Sequence, residues 1–149
     1  MDIVTKEKRS EMMSRICGKN TVPEKQVRSL LHRMGYRFRI HVNNLPGKPD
    51  IVLSKYRTAI FVHGCFWHRH RGCRLAYTPK SRVDFWQQKF ADNVRRDRMV
   101  SQDLRRLGWT VITVWECELA DPDQVARRLA LAISSVTIDP RGQKTGGRR

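Results

Sequence analysis

Acid is scarce in this chain. Fourteen Asp plus Glu stand against thirty Lys plus Arg among 149 residues, a formal charge of +16 and a pI near 10.7. Internal ion pairs cannot neutralise such an excess, so a polyanion is the expected ligand: each cation placed on a phosphate releases a condensed counterion. The cations run from Arg9 through Arg98 to Arg149 with aromatics among them, which favours nucleic acid over anionic lipid. Long apolar runs are also absent. None approaches the ~18 residues that cross a bilayer, and Lys6, Lys8 and Arg9 follow Met1-Asp2 without the apolar centre of a secretory signal. A cytoplasmic protein is expected. Cysteine is sparse, at 17, 65, 73 and 117, and inside a cell these are expected as thiols and not disulfides. The sharpest absence is local: from Ile51 through Val83 there is no Asp or Glu.

What is present suits one domain. Hydrophobic residues make up 40% of the chain and exclude wholesale disorder. Residues 1–20 are basic with an apolar patch at Met12, Met13 and Ile16, and read as an arm. Thr21-Val22-Pro23-Glu24 has the form of a capping box. Val27, Leu30, Leu31 and Met34 follow at helical spacing, and Gly35 is placed to end that helix. Tyr36, Phe38, Ile40 and Val42 alternate with Arg37, Arg39 and His41, which predicts a strand.

A turn at 43–49 leads to strands at 50–53 and 58–63, joined by a short connection. Residues 64–80 lack periodicity and read as a long functional loop. A second helix is expected from Ser81, with Asp84 at its N3 position, to about Leu107, ended by Gly108. A buried strand follows at 109–115. The last helix is capped by Asp121 and Pro122 and runs through Val125, Leu129, Leu131 and Ile133. The expected boundaries are an arm at 1–20, one α/β domain at 21–136 with a mixed sheet flanked by helices, and a basic flexible tail at 137–149.

The loop Cys65-Phe66-Trp67-His68-Arg69-His70-Arg71-Gly72-Cys73 packs two thiols and two imidazoles into nine residues. Structural zinc takes four soft or borderline ligands in a tetrahedron, and Cys117, just past the 109–115 strand, can join the loop if that strand lies beside 58–63. The expected set is Cys65, His70, Cys73 and Cys117, with His68 also in reach. A zinc held by four protein ligands has no open position, so it would serve as scaffold. On the second helix, Trp86, Lys89, Asn93 and Asp97 recur on one face.

Pro49-Asp50 before a hairpin resembles the opening of restriction-endonuclease-like nucleases, where the Asp holds Mg²⁺ and a second strand brings an acid and a Lys. Here that second acid is missing, and His63 and His68 stand near the end of the return strand. Four blocks narrow the resemblance: Leu45-Pro46-Gly47-Lys48-Pro49-Asp50, Phe61-Val62-His63-Gly64-Cys65-Phe66-Trp67-His68, Asn93-Val94-Arg95-Arg96-Asp97 and Val114-Trp115-Glu116-Cys117. Together they look like the very-short-patch repair (Vsr) DNA mismatch endonucleases, over about Arg9 to Leu119.

The resemblance implies a Mg²⁺-dependent, zinc-stabilised enzyme that nicks duplex DNA 5′ of the thymine in T·G mismatches left by 5-methylcytosine deamination. By position, Asp50 would hold Mg²⁺ with the backbone carbonyl of Val62. His68 would activate water and Asp97 would orient it, with His63 near the phosphate. Glu24 would help hold metal-bound water, or serve only as a cap. Phe66, Trp67 and Trp86 would intercalate, Lys89 and Asn93 would contact the T·G pair, and Met13 would insert from the minor groove. Trp86 and Met13 at helical spacing are alternatively core residues. Implied partners are mismatched double-stranded DNA, MutL-like mismatch-repair proteins and a functional link to a cytosine-5 methyltransferase, with the protein a monomer at the bacterial nucleoid. The alternatives are a zinc-stabilised DNA-binding module without cleavage and a general restriction-type nuclease.

Overall fold

The computed structural model describes residues 20–134. Met13, Cys17 and the expected tail lie outside the described residues. The first described helix, α1 (Val22–Arg33), starts as its sequence dictates. Thr21 Oγ1 accepts the Glu24 N–H at 3.4 Å, and the Glu24 carboxylate accepts the Thr21 N–H at 3.4 Å and its hydroxyl at 3.0 Å. Val27, Leu30 and Leu31 form the buried stripe, and Gly35 takes the left-handed conformation that ends the helix, φ +88°.

The strand expected at 36–42 does not form. Only Arg39 pairs, antiparallel, with Val52. The alternation survives in burial, since Tyr36, Phe38 and Ile40 pack against the core while Arg37, Arg39 and His41 are exposed. His41 at φ 57° breaks the extended run before a ladder can propagate.

Strand β1 (Ile51–Leu53) passes through a 3₁₀ turn, Ser54–Tyr56, into β2 (Thr58–His63), with Ile51 opposite Ile60 in an antiparallel pair. Helix α2 (Val83–Arg106) then carries the chain across to β3 (Thr110–Trp115), which pairs in parallel with β2 from Thr58 opposite Thr110 to His63 opposite Trp115. The sheet order is β1-β2-β3 among the described residues. A second 3₁₀ turn, Glu116–Ala120, leads into α3 (Pro122–Ser134). The Gln124 N–H donates to Asp121 Oδ1 at 3.3 Å, the expected cap.

Both sheet faces are covered, which is why the strands read as near-continuous apolar runs. Ile51, Leu53, Ile60, Ile112 and Val114 face α1 and α3, where Val27, Leu31, Val125, Leu129 and Ile133 complete a single aliphatic core. Ala59 and Phe61 point the other way, onto Leu104 and Val100 of α2. Two expectations shift. Helix α2 opens at Val83 and not Ser81, because Arg82 adopts a left-handed conformation at φ 54° and supplies no side-chain cap. Leu131, placed in the buried series from sequence, is 73% exposed; only Val125, Leu129 and Ile133 keep the i, i+4, i+8 face. No described helix is long and apolar enough to cross a membrane.

Candidate active site and thiol–imidazole cluster

The carboxyl-terminal end of β2, the residue before β1, the middle of α2 and the loop after β2 meet around a cleft of about 780 Å³. Gly47 sets one wall. Its φ is +73°, and a Cβ there would sit 2.3 Å from Val100 Cγ1, so only glycine lets the 45–49 turn lie against α2. That turn delivers Asp50 into the cleft. One carboxylate oxygen accepts the Val62 N–H at 2.7 Å. Burial pushes Asp50 up to about 6, against the Val62 hydrogen bond, and the charge of nearby Glu24 adds to the rise. Glu24 is itself buried and takes an ion pair from Arg28 at 3.2 Å besides its capping bonds.

His63 and His68 lie face to face, ring centroids 3.8 Å apart and planes within 5°. Burial, then the neighbouring His68, lowers His63 to about 4, so its ring is neutral near pH 7. Its Nδ1 is buried without a hydrogen-bond partner. His68 Nδ1 lies 2.6 Å from Asp97 Oδ2. Such a contact holds the tautomer with the proton on Nδ1 and leaves Nε2 as an acceptor.

The face of α2 expected from sequence meets the loop residue by residue. Asp97 holds His68, Asn93 Nδ2 donates to the Trp67 carbonyl at 3.1 Å, Lys89 lines the cleft, and Trp86 packs on Phe66 and Trp67 with centroids 5.5 and 5.6 Å away. Phe66 is the hub of these rings, touching Trp67, Tyr77, Trp86 and Phe90. Phe66 and Trp67 line the same cleft as Asp50.

On the far side of the loop, Cys65, His70, Cys73 and Cys117 each offer a ligand atom, all within 4.8 Å of one another. His70 Nδ1 lies 3.6 Å from Cys65 Sγ and 3.3 Å from Cys117 Sγ. A tetrahedron with zinc–sulfur and zinc–nitrogen arms has an S···N edge of about 3.5 Å, so the donors and their spacing suit that ion. Burial pushes the Cys65 thiol up to about 12, a penalty that a bound cation removes. His68 lies apart from this cluster, on Asp97.

Three residues escaped the sequence reading. Trp115 stacks on His70 at 4.3 Å and meets His63 edge-on at 5.2 Å, bridging the two sets of histidines. Glu116 accepts the Cys65 N–H at 3.1 Å and lines the cleft. Both precede Cys117 in the Val114–Cys117 block that carries the family resemblance, and that membership was the available signal, although neither was given a role there. The third, Arg69, sits inside the loop and carried no signal of its own.

Among solved structures, the catalytic domain of the homing endonuclease I-Bth0305I shares the fold with a TM-score of 0.56, covering 78% of this chain and 97% of that domain at 22% identity. The two chains thus share a fold, here a mixed sheet flanked by helices and joined to a Cys/His cluster whose ligand atoms are close enough to hold one metal ion. The family model described as "DNA mismatch endonuclease Vsr" matches residues 1–74. The chain is 50% identical over 128 residues to the type II nicking enzyme V.XorIIP of Xanthomonas oryzae, covering 86% of this chain and 93% of that one. It is 46% identical over 118 residues to the DNA mismatch endonuclease Vsr of Escherichia coli, covering 79% and 75%. The chain belongs to the Vsr family of DNA mismatch endonucleases.

Proposed function

We propose that this nuclease nicks one strand of duplex DNA on the 5′ side of the thymine in a T·G mismatch, with Mg²⁺ at the scissile phosphate. The observation that carries the reading is one cleft holding Asp50, the His68–Asp97 pair and the Phe66–Trp67 face. A buried carboxylate whose proton is held to about 6 by desolvation is a fitting oxygen donor for a hard cation, and Asp50 with the Val62 carbonyl would hold Mg²⁺. When bound, that ion supplies charge stabilisation for the pentavalent phosphorane-like transition state. His68 Nε2 accepts the proton of the attacking water, and Asp97 keeps the ring oriented and stabilises the imidazolium that forms. Neutral His63 fixes the His68 ring by stacking beside the phosphate.

Cys65, His70, Cys73 and Cys117 would hold Zn²⁺ as a closed structural site, stiffening the loop that bears Phe66 and Trp67. Inserting these rings between base pairs costs a few kcal/mol of unstacking per step, less where the pair is already weak. Trp86 backs the wedge, and Lys89 and Asn93 reach the mismatched pair from α2. The cell context proposed is the bacterial cytoplasm at the nucleoid, alongside MutL-like proteins and a cytosine-5 methyltransferase, with the enzyme a monomer.

The test is a nicking assay on T·G and T·A duplexes with Mg²⁺ or EDTA. The expected result is Mg²⁺-dependent cleavage of the T·G strand only, lost in Asp50→Ala. Equal cutting of both duplexes would favour a general nuclease, and binding without cutting a DNA-binding module.

A further inference from the structure

The Cys/His cluster fastens the loop at positions 65, 70 and 73, and its fourth member is far along the chain at 117. From that cluster Cys73 reaches only the adjoining turn, its carbonyl accepting the Ala76 N–H at 3.0 Å, yet beyond it the rings of Phe66 and Tyr77 lie 5.0 Å apart. One side chain bridges the gap. Arg69 Nη1 donates to the carbonyls of Phe66 at 3.2 Å and Tyr77 at 3.0 Å, while Nη2 donates to the Ala76 carbonyl at 2.9 Å and Thr78 Oγ1 at 3.3 Å. Its guanidinium lies over the Phe90 ring at 3.8 Å, which ties the same knot to α2. A planar fork of donors can hold several carbonyls at once, and an ammonium cannot reproduce that geometry.

The Arg69 bonds fix both ends of an aromatic face. At one end is Phe66, half-buried among rings; at the other is Tyr77, 61% exposed. An exposed aromatic of this size on a very basic protein, with Arg74 and Lys80 exposed on either side of it in the chain, has the make-up of a nucleic-acid contact: a ring for stacking, cations for phosphates.

We infer that Arg69 is the positioning residue of the aromatic finger, fastening it separately from the thiol–imidazole cluster, and that Tyr77 is a third ring of that finger, meeting the nucleotide next to the pair engaged by Phe66 and Trp67. The Tyr77 half rests on the DNA reading above; the Arg69 half rests on the loop alone.

The test uses full-length, zinc-loaded protein carrying Arg69→Met, Arg69→Lys or Tyr77→Ser. Amide exchange over residues 66–78 reads the fastening, and 2-aminopurine fluorescence at each position flanking a T·G pair reads the unstacking. Both Arg69 variants are expected to keep their zinc and the slow exchange of β2 and α3. Exchange over 66–78 should rise about tenfold, the scale of one or two lost hydrogen bonds, and the 2-aminopurine signal at T·G should fall relative to binding of a T·A duplex. Arg69→Lys keeps a cation near Phe90 and loses the fork, so it decides the question if Arg69→Met does not fold. Tyr77→Ser should leave exchange unchanged and lower the signal at one flank only. Unaltered exchange in the Arg69 variants overturns the positioning role. An unaltered signal in Tyr77→Ser overturns the third ring. Absence of any signal from the parent protein at T·G removes the DNA reading and Tyr77's part with it, while the exchange result still decides Arg69.

Discussion

Beneath α1 and α3 the chain is held by aliphatic packing, with Leu31, Ile51, Leu53, Ile60, Leu129 and Ile133 all nearly or wholly buried. The loop from Gly64 to Arg82, by contrast, holds no helix or strand and almost no aliphatic core. Order there comes from directional contacts: the thiol–imidazole cluster, the Arg69 fork, Asn93 on the Trp67 carbonyl, Asp97 on His68, and rings meeting rings. Aliphatic burial is non-directional and forgiving of small shifts, and it supplies stability. Hydrogen bonds and metal geometry fix orientation within fractions of an ångström, which is what reacting groups need. This molecule assigns the first task to the sheet face beneath α1 and α3 and the second to the loop beyond the carboxyl-terminal end of β2.

The comparison breaks most sharply at Asp50. Asp50→Asn keeps an acceptor for the Val62 N–H and removes a buried charge beside Glu24, so the thermal midpoint should be no lower than in the parent. Cleavage should fall at least roughly 10³-fold, about 4 kcal/mol of barrier. A large drop in midpoint would show that the carboxylate belongs to the stabilising half after all.

The next test sets one residue from each region side by side. Leu129→Ala should cost about 3 kcal/mol of stability by opening a cavity in the core, with the nicking rate unchanged well below the melting temperature. Cys117→Ser should do the reverse: zinc affinity falls at least roughly 10²-fold, mismatch discrimination is lost, and the far-ultraviolet circular dichroism of the helices persists. Calorimetry, elemental analysis and the T·G to T·A rate ratio on the same preparations settle whether the two regions are as separable as they look.

Gly47→Ala falls between them. The added methyl meets Val100 on α2 and strains a backbone at φ +73°, so a loss of about 1–3 kcal/mol is expected. Because this turn carries Asp50, activity should fall further than stability alone accounts for, measured as kcat at a temperature where the variant is folded.

The two regions also differed in how far the sequence disclosed them. Helix α1 could be read because its signals are local: a capping box, a stripe at 3.6 spacing and a glycine. Residues 36–42 carried the period of a strand, but a ladder needs a partner, and His41 turns the chain away after one bridge. The start of α2 was missed because a left-handed Arg82 leaves no compositional trace. In the loop, residue types announced the cluster of Cys65, His70, Cys73 and Cys117, since few other uses concentrate thiols and imidazoles so tightly. The relation of His68 to Asp97 was implied by family likeness alone; helical spacing only set Asp97 on one face with Trp86, Lys89 and Asn93. Trp115, Glu116 and Arg69 act only through neighbours brought together by folding, and no spacing rule reports that.

The smallest expected effect concerns Glu24, which belongs to both regions at once. It completes the capping box of α1 and its charge reaches Asp50. Thr21→Ala removes the hydroxyl on that carboxylate and should cost about 1 kcal/mol, the usual worth of such a cap. If Glu24 serves only as a cap, Thr21→Ala and Glu24→Gln should lower the thermal midpoint by similar small amounts and leave the nicking rate alone. If it also supports the cleft, Glu24→Gln should reduce kcat at saturating Mg²⁺ well beyond Thr21→Ala at equal stability loss, because only that variant changes the charge facing Asp50. The ratio of the two rates, taken at matched fractions folded, measures how much of one carboxylate belongs to the helix and how much to the chemistry.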